Sequence, residues 1–333
     1  MAKKKARVRS SKAITAAMKS LETRFKEVVV MKMSDSNSSA ETTPSGRADL
    51  DAALGGGYGV GKIIEIYAES GFGKTGLALE AIAECQKEGG VCAFVDSEHA
   101  LNTEYCEQIG VNVDDLYISQ PSYGEQAFEA IRALIATAEV DMIVVDSVAA
   151  MVPKAILEGE SGEAKIALQA RMMSQGMQLI AGPAAVVGCT IIFINQLRKT
   201  IAMYGPSETT TGGKALKFYA TQRLEVKSKG QLKNGSAPDA EIIGFKQFIK
   251  IVKNKIGAPF KTIQNDIVYG IGVDKLTGLI EALIFNEVLI KAGSWLKYKG
   301  TNVAQGRAKL RKVLEDNPDL LDELEKELIT KTT

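Results

Sequence analysis

The stretch Ile63-Ile-Glu-Ile-Tyr-Ala-Glu-Ser-Gly-Phe-Gly-Lys-Thr75 decides the fold. Its first five residues are a β-rich apolar run, and Lys74 to Glu88 spaces Leu77, Leu79, Ala81 and Ile82 among charges in a helical pattern. A strand entering a helix through a glycine loop turns several backbone N–H groups around an anion, and the helix N-terminus adds its positive end. Glu69, Ser70, Gly71, Phe72, Gly73 and Gly76 are therefore candidates to cradle a phosphate. Lys74 can reach the β- and γ-phosphates and the Thr75 hydroxyl can ligate Mg²⁺, so the implied cofactors are ATP and Mg²⁺. The motif calls for glycine at its first position, where this chain has Ala68.

Outward from this stretch, Val91–Val95, Met142–Val145 and Thr190–Ile194 are further apolar strands, with a helix expected over Gly124–Ala138. Nearly continuous apolar runs separated by helices predict an α/β fold whose mostly parallel sheet is covered on both faces. Arg223–Lys227 and Gln247–Val252 alternate more and predict an antiparallel extension. After about Gly270 the pattern is helical with a short polar-aromatic stretch at Trp295–Tyr298, which predicts a small α/β C-terminal domain. At the other end, Ile14, Met18, Leu21 and Phe25 form the stripe of an amphipathic helix within Ser11–Val30, followed by a polar linker at 34–45. The expected layout is an N-terminal helix and strand (1–33), whose stripe packs either on another molecule or back on its own domain, the linker (34–45), the nucleotide-binding core (46–270) and the C-terminal domain (271–333).

The 333 residues carry 41 Lys+Arg against 40 Asp+Glu, so whole-chain charge gives no argument for nucleic acid and any such site must rest on local patches. Cys85, Cys92, Cys106 and Cys189 make no Cys-x-x-Cys pair, and with one histidine, His99, no zinc set is expected. Reduced thiols, a basic start with no apolar signal core, and apolar stretches too short for a membrane span predict a cytoplasmic protein that uses no membrane.

Three polar residues end apolar strands where they can meet the phosphate loop. Asp146 closes Asp141-Met-Ile-Val-Val-Asp146 and can hold a water on Mg²⁺. Glu98, in Asp96-Ser-Glu-His99, stands where a general base can orient or deprotonate the attacking water. Gln196 follows Thr190–Ile194 and can hydrogen-bond the γ-phosphate, losing that bond on hydrolysis. His99 reads as a structural neighbour.

Together with Phe94-Val-Asp-Ser-Glu-His-Ala-Leu, Val144-Val-Asp-Ser-Val-Ala-Ala, Ala170-Arg-Met-Met-Ser-Gln, Phe193-Ile-Asn-Gln, Glu208-Thr-Thr-Thr-Gly-Gly, Ala215-Leu-Lys-Phe-Tyr-Ala and Val252-Lys-Asn-Lys-Ile-Gly-Ala-Pro-Phe, these segments resemble the bacterial RecA recombinases from about Ser11 to Leu328. The resemblance implies a homo-oligomeric helical filament on single-stranded DNA that uses ATP, searches duplex DNA for homology and exchanges strands, with recombination mediators as further partners. It also implies a catalytic role for Glu98, Lys74 and Gln196, stacking of Tyr105 on the adenine, and a base contact from Asn102, where the bacterial pattern has an aspartate.

Two segments resemble the family's DNA loops, 158–166 and 197–213. In the first, Ile166 takes the place of an inserted apolar side chain and Arg171 that of a phosphate partner. The second is supported by its own chemistry: Arg198 and Lys199 can neutralise phosphates, Gly212 and Gly213 offer N–H groups, and Ile201 can wedge between bases. Phe218 and the N-terminal stripe are implied interface residues, and Lys253 and Lys255 are implied to reach the phosphates of a neighbouring subunit. The chain ends at Thr333 without the long acidic tail common in bacterial members, which predicts easier DNA loading. A hexameric helicase would share the ATP residues but not Glu208–Gly213 or Lys253–Lys255, and a structural DNA-coating protein would not need Glu98 and Gln196.

Overall fold

The computed structural model describes residues 11–26, 30–31, 41–159, 164–199, 208–234, 240–270 and 272–332. It divides into a unit of residues 1–40 and a unit of residues 41–333. In the first, the apolar stripe forms α1 (Ser11–Phe25), which stops short of Val30 because Lys26 turns into the left-handed region at φ 59°. Ile14 and Phe25 are exposed and Met18 and Leu21 half-buried.

The stretch expected as linker joins the second unit before residue 45. Residues 34–40 lie outside the described residues, but β1 (Thr42–Thr43) pairs antiparallel with β2 (Tyr58–Gly59) across α2 (Ala48–Leu54) in sequence. Ser45 is fully buried and its N–H donates to Asp51 Oδ1 at 2.8 Å. Polar composition reads as solvated, yet here the backbone and one short side chain are paired inside.

The main unit then runs through β3 (Ile63–Ala68), α3 (Lys74–Lys87), β4 (Cys92–Asp96), α4 (Thr103–Ile109), β5 (Leu116–Ser119), α5 (Gly124–Ala136), β6 (Met142–Asp146), α6 (Lys154–Leu157), α7 (Ala164–Val187), β7 (Thr190–Lys199), β8 (Glu208–Thr210), α8 (Ala215–Tyr219), β9 (Gln222–Lys233), β10 (Ile242–Asn254), β11 (Thr262–Val268) and β12 (Gly272–Val273). The strands lie in the order β12-β11-β10-β9-β3-β7-β6-β4-β5, with β8 paired to β7. From β9 to β5 every pairing is parallel. The antiparallel extension is real but starts one strand later than the alternation predicts: β9 pairs parallel with β3 on one edge and antiparallel with β10 on the other.

Period-two alternation explains why the central strands read as unbroken apolar runs. On β6, Met142 and Val144 face the layer that includes Leu77 and Ile82 of α3, while Ile143 and Val145 face Phe128 and Ile131 of α5 and Met177 of α7. On β7, Ile192 and Ile194 split from Ile191 and Phe193 in the same way. Each such side chain removed from water contributes roughly 1.5–3 kcal/mol. Both faces covered, the polar ends of these strands are left to collect at one edge.

The C-terminal part comprises α9 (Lys275–Phe285), β13 (Ile290–Ala292), β14 (Trp295–Tyr298), β15 (Thr301–Gln305), α10 (Arg307–Asp316) and α11 (Pro318–Thr332), with the three strands in a sheet of their own. Leu279, Leu283, Leu296, Leu310, Leu324 and Ala52 of α2 share its core. Because β12 still pairs with β11, the main sheet runs slightly past the expected boundary at residue 270. Among the described residues no helix is long and apolar enough to cross a membrane; Gly182 and Pro183 sit inside α7.

Candidate nucleotide and DNA site

β3 ends at Ala68, level with Gln196 of β7, while Asp96 of β4 is level with Asp146 of β6. Ligands of open parallel sheets gather at such carboxyl ends. The turn out of β3 reaches positive φ only at Gly71 (81°) and Gly73 (77°), so alanine at position 68 carries no left-handed strain. Gly73 caps α3 without a side-chain bond, and the first intrahelical bond is Leu77 N–H to Gly73 C=O at 3.1 Å. The N–H groups of Lys74, Thr75 and Gly76 thus have no acceptor within the helix, which makes its end an anion cradle. Lys74 Nζ donates to the Glu69 carbonyl at 2.8 Å. Burial lowers the pKa of its ammonium group, with Asp146 and Glu98 pulling the other way.

Thr75 Oγ1 donates to Asp146 Oδ2 at 2.6 Å. Burial pushes the Asp146 carboxyl up to about 6, Glu98 adding to the rise and the Thr75 hydroxyl and Lys74 opposing it. Among the described residues no group of three or more His, Cys, Asp or Glu is placed to hold a metal ion. One hydroxyl and one carboxylate fit Mg²⁺, which keeps much of its octahedral shell for phosphates and water.

Glu98 is exposed to the cleft and Glu98 Oε1 accepts from Ser147 Oγ at 2.5 Å and from Gln196 Nε2 at 3.1 Å. Its loop is anchored by Asp96, whose carboxylate accepts from the N–H groups of Ala100 and Leu101, both at 3.3 Å, and from Gln120 Nε2 at 3.2 Å. His99 is exposed, with φ 54°, and accompanies the turn. Neither Ser147 nor Gln120 was legible as a site residue; Ser147 adjoins Asp146, but nothing in its spacing marks it.

Behind Gln196 lies a buried polar cluster that no motif announces. Glu65, inside the first apolar strand, is fully buried; Glu65 Oε2 accepts from Arg223 Nε at 2.5 Å and Oε1 from Asn195 Nδ2 at 2.9 Å. Asn195 Nδ2 also donates to the Thr211 carbonyl at 3.0 Å, tying the base of the second loop to β7. A buried charge is tolerated only when paired in this way.

A cleft of about 510 Å³ is lined by Thr75, Glu98, Asn102, Tyr105, Gln108 and Asp146, among others. Tyr105 is 40% exposed, and a Cβ at Gly76 would lie 2.7 Å from its hydroxyl. Asn102 is the N-cap of α4, its Oδ1 accepting from Tyr105 N–H at 2.9 Å. The cap uses the carbonyl oxygen and leaves the amide N–H groups available as donors.

The described ends of the two loop segments belong to a helix and to paired strands. Residues 160–163 lie outside the described residues, whereas Ile166 and Arg171 stand on α7, both exposed, Ile166 at 79%. In the second, Leu197, Arg198 and Lys199 extend β7 and pair with Thr210, Thr209 and Glu208, because antiparallel pairing satisfies both backbones. Ile201, with the rest of 200–207, lies outside the described residues, as does the side chain of Lys199. Gly212 and Gly213 have φ 84° and 77°, and a Cβ there would lie 2.8 Å from Val148 Cγ1 and 2.7 Å from Ala170 Cβ. Packing therefore requires glycine at both positions, and Gly212 is buried.

Lys253 does not project freely beside Lys255. A register shift between Ile251 and Lys253 interrupts the alternation, and Lys253 Nζ donates to the carbonyls of Lys217 (2.9 Å) and Phe218 (3.1 Å) at the end of α8. Lys255 follows β10 and its positive charge, after burial, lowers the pKa of Lys253. Phe218 is 67% exposed.

Residues 12–274 match the family described as the RecA N-terminal domain, and residues 279–333 match the RecA C-terminal domain. The chain belongs to the RecA family. It is 46% identical over 320 residues to Protein RecA of Fusobacterium nucleatum subsp. nucleatum, covering 95% of this chain and 84% of that one. It is 45% identical over 330 residues to Protein RecA of Acinetobacter baylyi (97% and 93%), and 45% identical over 320 residues to Protein RecA of Staphylococcus aureus (95% and 91%). As a RecA-family member it is a recombinase of DNA recombination and repair and a DNA-dependent ATPase, which sets aside the helicase and passive-coat readings. The family uses ATP with Mg²⁺, binds DNA and forms filaments.

Proposed function

We propose that this chain binds ATP with Mg²⁺ in the cleft between Thr75 and Tyr105 and hydrolyses it within a helical filament on single-stranded DNA, where it exchanges strands with a homologous duplex. The observation that carries this is the meeting of Thr75 with Asp146 and of Gln196 with Glu98 at one sheet edge, 2.6 and 3.1 Å apart. Mg²⁺, when bound, supplies charge to spread over the phosphate oxygens. Thr75 and Asp146 would hold it, the second through water. The free N–H groups of residues 74–76 would bind the phosphates, and Lys74 would exchange the Glu69 carbonyl for them. Glu98 would orient and deprotonate the attacking water, and Gln196 would trade Glu98 for the γ-phosphate, passing its position through Asn195 to the Thr211 carbonyl of the second loop. Tyr105 would stack on the base beside Asn102.

Arg171, Arg198, Lys199 and the apolar Ile166 and Ile201 would hold the single strand, and the stripe of α1, with Phe218, would dock on a neighbouring subunit. A cytoplasmic location goes with the four free, buried thiols. The test is hydrolysis with and without single-stranded DNA, alongside strand exchange between a coated single strand and a homologous duplex. Turnover stimulated by DNA together with strand exchange is expected; turnover indifferent to DNA overturns the reading.

A further inference from the structure

The phosphate loop is gripped from the antiparallel side of the sheet. Gln247 of β10 is fully buried, and its Nε2 donates to the Phe72 carbonyl at 2.8 Å. Gly73 presses on the same amide, since a Cβ there would lie 2.8 Å from Gln247 Nε2. The Phe72 ring meets that of Phe245 at 6.4 Å between centroids, and Phe245 meets Tyr269 at 6.2 Å. The loop tip is thus clamped by one hydrogen bond, from Gln247, and one ring contact, from Phe245, both on β10.

The amide is not free to turn round. Gln247 Oε1 accepts from Arg47 Nη1 at 2.7 Å, and a guanidinium is only a donor, so it selects the oxygen and leaves the nitrogen for Phe72. Arg47 is 3% exposed and is itself fixed by Glu80 of α3, through Arg47 Nε to Glu80 Oε2 and Nη2 to Oε1 at 3.2 Å. Arg47 Nη1 also donates to Asn265 Oδ1 at 3.3 Å, and Asn265 Nδ2 to Asp49 Oδ2 at 2.7 Å. A carbonyl that swung into an anion cradle would repel the anion, so fixing Phe72 C=O outward keeps the N–H side of the loop facing the ligand.

We infer that Gln247, oriented by Arg47, is a positioning residue that holds the phosphate loop in its binding shape through the Phe72 carbonyl. This rests on the reading of residues 69–76 as the phosphate loop. It acts on capture and not on the chemical step, because Gln247 reaches no residue proposed to touch the water or the γ-phosphate.

The test compares full-length Gln247→Met, Asn265→Leu and Lys74→Ala in the binding of Mg²⁺-ADP and of a non-hydrolysable ATP analogue, with melting temperature measured in parallel. Gln247→Met is expected to raise both dissociation constants about tenfold, the size of one lost hydrogen bond, while turnover at saturating ATP and DNA stays within about threefold. Asn265→Leu breaks the same network away from the loop, and should lower the melting temperature while leaving both constants within about twofold. Unchanged affinity in Gln247→Met overturns the inference, and so does an equal loss in Asn265→Leu, which would make the network a stabiliser of the fold alone. If Lys74→Ala binds as tightly as the parent, the phosphate-loop reading itself fails; if only Lys74→Ala weakens binding, the positioning role alone fails. Should Gln247→Met not fold, Gln247→Leu also removes the donor to Phe72 without adding a charge, and the same tenfold loss is expected.

Discussion

Gln196 Nε2 donates to Glu98 Oε1 across 3.1 Å, joining the strand that carries the second loop to the turn that carries the proposed base. The Ser147 hydroxyl holds the same oxygen at 2.5 Å, so two donors occupy one carboxylate oxygen, and in the proposed mechanism the other takes the proton of the attacking water. Glu98→Gln keeps the shape and the acceptor for Ser147 but cannot take a proton. Nucleotide and DNA binding should persist while hydrolysis falls about 10²–10⁴-fold. Near-parental turnover in single-cycle assays would remove Glu98 from the role.

Asp51 offers a pH test of the fold at α2, where its carboxylate accepts from the Ser45 N–H. Burial raises its carboxyl from an ordinary 3.8 to about 7, with Asp49 and Glu84 adding to the rise and the Ser45 bonds opposing it. A raised folded pKa means the folded state holds the proton more tightly. The associated stability is complete below about pH 4 and lost as pH climbs through 7, a span of about 4 kcal/mol. Asp51→Asn keeps an oxygen for the Ser45 N–H and carries no charge. Its stability gain over the parent should be near zero at pH 4 and should grow towards pH 8 in denaturant titrations. A gain that is flat across that range would show Asp51 to be ionised throughout.

The parts of this site that sequence makes legible are those at the ends of apolar runs. Lys74, Asp146, Glu98 and Gln196 each follow a strand that both faces of the sheet bury, so period and chemistry coincide. What it hides is pairing across the chain: Gln247 with Phe72 and Arg47, or Glu65 with Arg223, join residues far apart with no shared periodicity. β5 escaped because it is four residues long with Tyr117 and Ile118 exposed, and β11 because it carries Gln264, Asn265 and Asp266 in a row. The buried end of the supposed linker escaped because a Ser-Thr run has no apolar face, whichever way its backbone pairs.

Removing residues 1–33 tests the role proposed for α1. Its exposed Ile14 and Phe25 leave apolar surface that a neighbouring subunit could cover. The truncated chain should bind nucleotide as a monomer and fail to form filaments in sedimentation with single-stranded DNA and ATP. Filaments of ordinary length from the truncated chain would place the subunit contact elsewhere.

Arg198 stands exposed on β7 opposite Thr209, at the mouth of the second loop. One phosphate contact there adds roughly 0.7–1 to the slope of log affinity against log salt. Arg198→Ala should lower the slope by that amount and weaken binding equally for all base sequences. An unchanged slope, or a loss confined to one sequence, would take Arg198 out of the phosphate contacts.

Lys253 is occupied in the single chain, its ammonium group closing the carbonyl end of α8 through Lys217 and Phe218, with Lys255 next to it past the end of β10. If the pair acts on the phosphates of a neighbouring subunit, Lys253 must leave those carbonyls on assembly, which couples the exposed Phe218 to the arrival of a cation. A charge supplied in this way resembles an arginine finger, a class worth about 10³–10⁵-fold in turnover. Replacing both lysines with alanine should therefore abolish DNA-stimulated hydrolysis while each subunit still binds nucleotide. Glu98→Gln subunits keep the lysines and the double variant keeps Glu98, so a mixed filament contains some interfaces with both. Mixing should restore part of the turnover, greatest near equal proportions. If mixed filaments form and no ratio recovers activity, the lysines act within their own subunit, as caps on α8.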